Sequence, residues 1–197
     1  MKPTVYTTGT HHGAGLHAWL KFAATLAVAA LLTHPWWAPQ WGAGLLGEVR
    51  ALGPAGAIAA MLAFFALVAC YCRHLQAVLQ AIPASARRAP PGSVWWMFAI
   101  PYNFVEDFFI VAAIAGSLRA DGRIATAQQR RWQRLGLGWC APQIASLWPG
   151  TAGVLAGAAA LALWAAHWRA TLHILRGLRD TAPSTPTAAA DVATPAR

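Results

Sequence analysis

Glu106 and Asp107 stand in the middle of an apolar run, Val94 to Leu118, just after Ile100-Pro101-Tyr102-Asn103. Carboxylates at membrane depth mark ion paths or pair with arginines, since a lone charge in hydrocarbon costs about 3 kcal/mol or more. The same residues also have a purely structural reading. Pro101 interrupts the incoming turn, Asn103 is a good N-cap, Glu106 completes a capping box, and Asp107 sits where the helix dipole favours a carboxylate. On that reading a new helix starts at Phe104 and ends near Leu118.

Imidazole is the usual axial ligand of membrane cytochromes, and seven histidines make that chemistry worth weighing. His17, His74, His167 and His173 approach one half of the expected bundle, where a bis-histidine haem or metal site would need them. His167 and His173, however, are six residues apart and off a common helical face. Cys70 and His74 share a face at a spacing of four while Cys72 points away, and two ligands do not make a structural zinc site. Buried cysteine as a small apolar residue accounts for Cys70, Cys72 and Cys140. Arg119, Arg123, Arg130, Arg131 and Arg134, with Trp132 among them, suit anionic lipid headgroups, each charge contributing about 1 kcal/mol near the surface. No Gly-rich phosphate loop, Ser-His-Asp pattern, HExxH or dinucleotide fingerprint occurs, and nucleic-acid binding is the weaker reading of the arginines.

These residues must be positioned by a chain of unusual composition. Of 197 residues 57% are hydrophobic and only 11% charged, about half the charge of an ordinary soluble domain, with a mean hydropathy of +0.43. The basic excess, 15 Lys and Arg against 6 Asp and Glu, is almost wholly arginine, the only lysines being Lys2 and Lys21. Apolar stretches of this length make membrane embedding the first explanation of the high pI, before nucleic acid. An odd number of cysteines at irregular spacing is no disulfide framework. Scarce lysine with abundant arginine and alanine points to a GC-rich bacterium.

The apolar stretches imply an all-α, polytopic transmembrane helical bundle. Residues 1–15 read as a flexible N-terminal arm, 16–179 as a single transmembrane domain and 180–197 as a disordered tail. Span one, 16 to 34, is a retained span rather than a cleaved signal and ends at His34-Pro35-Trp36-Trp37, with an interfacial loop to residue 53. Span two starts near Pro54 and extends as a more polar helix to Ile82. The run 94 to 118 either crosses or dips and returns as a helix-break-helix. If it crosses, Arg119 to Arg134 face away from Arg73, Arg87 and Arg88, against the positive-inside bias. If it returns, those clusters share one side, and Leu135 to Trp168 forms a hairpin turning at Trp148-Pro149-Gly150, its first arm lengthened by 124 to 134. That arrangement, with four crossing helices, is preferred here. The alternative keeps 94 to 118 as span three and 119 to 148 as an outer loop. Gly153 and Gly157 permit close packing of the last span.

The stretch Tyr71 to Leu118 resembles an uncharacterised family of bacterial multi-pass membrane proteins, a domain of unknown function. The resemblance rests on Tyr71-Cys72-Arg73, Arg87-Arg88 and Trp96-Met97-Phe98-Ala99-Ile100-Pro101-Tyr102-Asn103, similar to the family's Trp-Phe-x-x-Pro-x-x-Asn segment. Met97 stands inside the aromatic pair, and Glu106-Asp107 replaces a second proline. The resemblance implies a multi-pass topology and no particular chemistry.

The expectation is thus an inner-membrane accessory or interaction protein of a bacterium, without catalytic activity or a cofactor. It would contact anionic lipid headgroups and either another membrane subunit or its own copies, and no nucleic acid. One alternative is a haem- or metal-binding redox protein using the four histidines, distinguished by a Soret band. Another is a small channel or transporter component gated near Glu106, distinguished by an ion flux that falls in Glu106→Gln.

Overall fold

The computed structural model describes residues 11–42 and 49–181, with side chains from Ala18 onward, and is all-α, with no strand among the described residues. The helices are α1 (His11–Leu32), the short α2 (His34–Trp37), α3 (Gly53–Ala81), α4 (Asn103–Asp121), α5 (Thr126–Ala145) and α6 (Thr151–Asp180). Residues 1–10 of the expected arm and 182–197 of the expected tail lie outside the described residues.

Local sequence explains most boundaries. Pro54 occupies the first turn of α3, where its missing N–H costs nothing, and Gly122 ends α4 in the left-handed conformation that favours glycine. After α3 the chain passes Pro83, Pro90 and Pro91 into a 3-10 stretch, Pro91–Phe98, which packs back along α3 and hands over to α4. The broken run 94 to 118 therefore consists of a short 3-10 arm and a full α-helix, not two α-helical halves. The hairpin turn expected at Trp148-Pro149-Gly150 lies between α5 and α6, and Pro142 is accommodated inside α5. Trp41 of the loop after α1 packs against Trp148, with ring centroids 5.8 Å apart, so the loop folds onto that turn.

Arg123 defines the opposite end of the bundle. Its guanidinium donates to the carbonyls of Ala81 (2.7 Å) and Leu178 (3.2 Å) and pairs with Asp121 at 2.9 Å, gathering the C-terminal ends of α3, α4 and α6. Three helix C-termini present their negative dipole ends there, which is where a cation is favoured. The backbone N–H of Arg88 also donates to Ser117 near the end of α4. The 3-10 arm and α4 thus leave and return to the same end.

Arginine placement follows from this geometry. Along their helices Arg73, Arg134 and Arg169 are each about 12–14 Å from that end at 1.5 Å per residue, and the other arginines from Arg87 to Arg179 are closer. The remainder of α3, Pro54 to Cys72, and of α6, Thr151 to Trp168, each measures about 27–28 Å and contains no arginine. Packing divides the same way. Within α3 the buried residues are Tyr71, Cys72, Leu75, Val78 and Leu79, none before Tyr71, while Ile58, Met61, Leu62 and Leu67 are exposed. The arginine half encloses the main hydrophobic core, where Trp132, Ile114, Leu118, Ile174 and Leu178 meet α3.

Two described helices, α3 and α6, are long and apolar enough to cross a membrane, and only 11% and 17% of their most apolar stretches are buried. A core helix of a water-surrounded fold would be mostly covered, so these faces need another apolar environment. α1 contributes a shorter apolar stretch, Ala18–Leu32. α4 carries Glu106, Asp107, Arg119 and Asp121, and α5 carries Arg130, Arg131 and Arg134, so neither is a simple apolar span.

Candidate functional site

The capping arrangement expected around Asn103 is not what the structure has. α4 begins at Asn103 itself, Tyr102 is its N-cap residue, and no side chain caps it. The physical reason is that Asn103 already lies inside the helix, with its side chain buried, and Glu106 is engaged elsewhere. Glu106 forms an ion pair at 2.6 Å with Lys21 of α1, both largely withdrawn from solvent, and the Lys21 ammonium also lies 4.0 Å from the centre of the Phe109 ring. Below this pair Val28 packs with Val105 and Leu147, the small apolar contact that completes the seating of α1. Glu106 thus has a lysine partner, where an arginine partner was the sequence expectation.

A partly desolvated pair holding a helix with so little other packing should be exposed by mutation. Lys21→Ala and Glu106→Gln are each expected to destabilise the protein by about 1–2 kcal/mol, between the values typical of exposed and buried pairs. The exchange Lys21→Glu with Glu106→Lys should recover most of the loss. Thermal unfolding of the four proteins in one detergent checks this, and equal losses in the exchange and the single variants would show that the pair does not seat α1.

Asn103 and Asp107 are four residues apart on α4, and Trp139 and Gln143 four apart on α5, so each pair shares a helix face. All four line a cavity of about 550 Å³ between α3, α4, α5 and α6. Asn103 Oδ1, Asp107 Oδ1, Gln143 Oε1 and Trp139 Nε1 are buried there without a hydrogen-bond partner. Most buried polar atoms in proteins are paired, so four unpaired ones around one cavity identify the most unusual chemistry in the molecule. The remaining wall is apolar and aromatic, including Phe64, Phe65, Phe104, Trp148 and Trp164. Trp139 and Gln143 were not among the residues singled out from sequence, and Tyr71 stood there only as part of the resemblance. Their signal was the repeated spacing of four, polar with polar or aromatic, on helices that face each other.

The histidines are not gathered into one site. His167 is buried, and its Nδ1 shares a 2.7 Å hydrogen bond with the Tyr71 hydroxyl while its ring packs on Trp132 at 4.4 Å. Trp132 Nε1 donates to Thr171 Oγ1, which in turn donates to the His167 carbonyl, so the ring is held from several sides. His167 Nε2 has no partner and faces Gly136, where a Cβ would stand 2.9 Å away, leaving no room for a metal or a haem. His74 Nδ1 lies 2.7 Å from the Cys70 carbonyl of its own helix, to which it donates, and Trp168 Nε1 stands 3.3 Å away. His173 is exposed, and the His17 side chain is outside the described residues. Among the described residues no group of three or more His, Cys, Asp or Glu is placed to hold a metal ion. Cys72 and Cys140 are buried and free, and Cys70 is exposed and free.

The arginines expected at lipid headgroups separate into two kinds. Arg123 is committed to Asp121, Ala81 and Leu178 inside the protein, because three helix ends converge on it. Arg119 is exposed and donates to Gln133 at 2.8 Å, while Arg130, Arg131 and Arg134 are exposed on α5. Trp132 is not part of that surface but of the core.

Comparison with protein-family models, with curated proteins and with solved structures gives no match to this chain.

Proposed function

We propose that the chain is a multi-pass protein of a bacterial inner membrane that serves as an accessory or interaction subunit without catalysis of its own. The observation that carries the reading is the coincidence of charge and packing. The eleven arginines from Arg73 to Arg179 fall in one half of the bundle. The arginine-free lengths of α3 and α6, about 27–28 Å each, match a hydrocarbon core of about 30 Å. In that arrangement the arginine end is cytoplasmic, Arg130, Arg131 and Arg134 meet anionic headgroups, and Arg50 lies on the far side. α1, α3, α5 and α6 are then the four crossing helices, with the 3-10 arm and α4 forming the re-entrant element. Pairing of Glu106 with Lys21 and burial of its neighbours against protein support carrying α4 at membrane depth. An interaction role is supported by the large uncovered apolar faces of α1 and α3, with Trp19, Phe22, Met61 and Leu62 exposed.

Reporter fusions test the topology. A fluorescent-protein fusion after Ala125 is expected to be bright and a phosphatase fusion there inactive, with the reverse in the Trp148-Pro149-Gly150 turn. An exported reporter after Ala125 overturns the re-entrant arrangement. Native mass spectrometry with an absorption scan, on protein purified in mild detergent, tests the role. A co-purifying polypeptide supports an accessory subunit, and bound haem or stoichiometric metal overturns it.

A further inference from the structure

We propose that the cavity between α3, α4, α5 and α6 is a binding site for a protonated amine with an apolar body. The proposal goes beyond the accessory role, and its entry route rests on the membrane placement proposed above. Three of the unpaired atoms around the cavity, Asn103 Oδ1, Asp107 Oδ1 and Gln143 Oε1, are acceptors, and one, Trp139 Nε1, is a donor. The Asp107 carboxylate sets the sign of the missing group, since an ionised carboxylate only accepts, and the amide oxygens of Asn103 and Gln143 can accept beside it. A primary ammonium brings three N–H donors, and its charge answers the Asp107 carboxylate, which has no cationic partner among the described salt bridges. Asp107 is 2% exposed, Trp139 6% and Asn103 8%, so the polar end of the cavity is screened from water, where such a pairing is strongest.

The walls select the same chemistry. Phe64, Phe65, Phe104, Trp148 and Trp164 surround the apolar part of the cavity and suit the apolar body of the ligand. A bare metal ion would leave those rings facing empty space and would find too few oxygens. Water would fill the volume with few polar partners. An organic cation satisfies both ends of the site at once. The volume of about 550 Å³ is that of a small-molecule site. Its rim includes Phe64, Val154 and Leu161, all half-exposed or more on the apolar outer faces of α3 and α6, so a lipophilic ligand reaches it from the surrounding hydrocarbon.

Glu106, adjacent in sequence, is excluded as the counter-charge because Lys21 already neutralises it. That difference supplies an internal control. The test uses the full chain in lipid nanodiscs, titrated calorimetrically with 4-phenylbutylamine and with 4-phenylbutan-1-ol, which has the same body without the charge. The amine is expected to saturate a single site with an affinity at least about tenfold above that of the alcohol. Asp107→Asn, which preserves size, should weaken the amine about tenfold or more and leave the alcohol unchanged, while Glu106→Gln changes both by no more than about twofold. Ala158→Phe, at an exposed position of the cavity wall, should weaken both ligands by obstructing the cavity without touching the core. Equal affinity for amine and alcohol overturns the proposal, as does undiminished amine binding in Asp107→Asn or in Ala158→Phe. Loss of amine binding in excess sodium chloride but not in excess choline chloride would assign the site to a metal cation and also overturn it. The comparison of the two ligands on the wild-type protein stands even if Asp107→Asn does not fold.

Discussion

Replacing Arg123 with alanine is expected to destabilise the protein by about 3–5 kcal/mol, the largest loss at any arginine. The guanidinium is the common tie of three helix ends, bonded to the Ala81 and Leu178 carbonyls and to Asp121. Its removal leaves the Asp121 carboxylate, whose side chain is 2% exposed, without a partner and frees two carbonyls at once. Lysine at this position should recover little, because a point charge cannot bridge three acceptors as a planar fork does. Arg131→Ala, on the exposed face of α5, should change stability by no more than about 0.5 kcal/mol. Unfolding in a fixed detergent, followed by circular dichroism, compares them. If Arg123→Ala and Arg131→Ala lose the same amount, the convergence of helix ends on Arg123 is not what closes that end of the bundle.

The second large effect is expected at Gly136. A Cβ added there would stand 2.6 Å from Val111 Cγ1 and 2.9 Å from His167 Nε2, so even alanine must push α4 or the buried imidazole aside. Overpacking of this kind costs about 1–3 kcal/mol, and Gly136→Ala should lie near the upper value because His167 is also held by Tyr71 and Trp132. Gly138, on the same helix, has only Leu163 Cδ1 at 3.9 Å from the added carbon. Gly138→Ala should therefore stabilise α5, by up to about 1 kcal/mol, through the lower backbone entropy of alanine. Two glycine-to-alanine changes two residues apart thus carry opposite signs. Combining Val111→Ala with Gly136→Ala should return part of the loss, since it removes the nearer obstacle. A Gly136→Ala protein as stable as the parent would mean that α4 and α5 are not in the close contact described.

Much of the architecture was legible in local sequence. The all-helical class and the long apolar runs follow from composition and periodicity, and prolines and glycines mark α3, the turn before α6 and the end of α4. These are local properties, each decided within a few residues by backbone sterics and transfer free energy. The break near Pro101 was legible for the same reason. Its form was not: the incoming arm is 3-10, and Asn103 is drawn into a cavity rather than onto the helix end.

The chemistry of individual polar residues could not be read locally, because a charge is defined by its partner and partners are distant in the chain. Adjacent carboxylates on one helix turn have opposite fates: Glu106 meets Lys21 from α1, and Asp107 is buried with one oxygen unpaired. Arginines that look alike in sequence divide into one internal tie, Arg123, and an exposed set on α5. Histidines that composition makes conspicuous turn out to include a packed core residue bonded to Tyr71. The apolar segments, and the absence of arginine from Pro54 to Cys72 and from Thr151 to Trp168, were legible without the fold, since those are properties of each segment alone. Which buried polar atoms lack partners, and that four of them surround one cavity, follows from helix packing, which chooses the faces that meet.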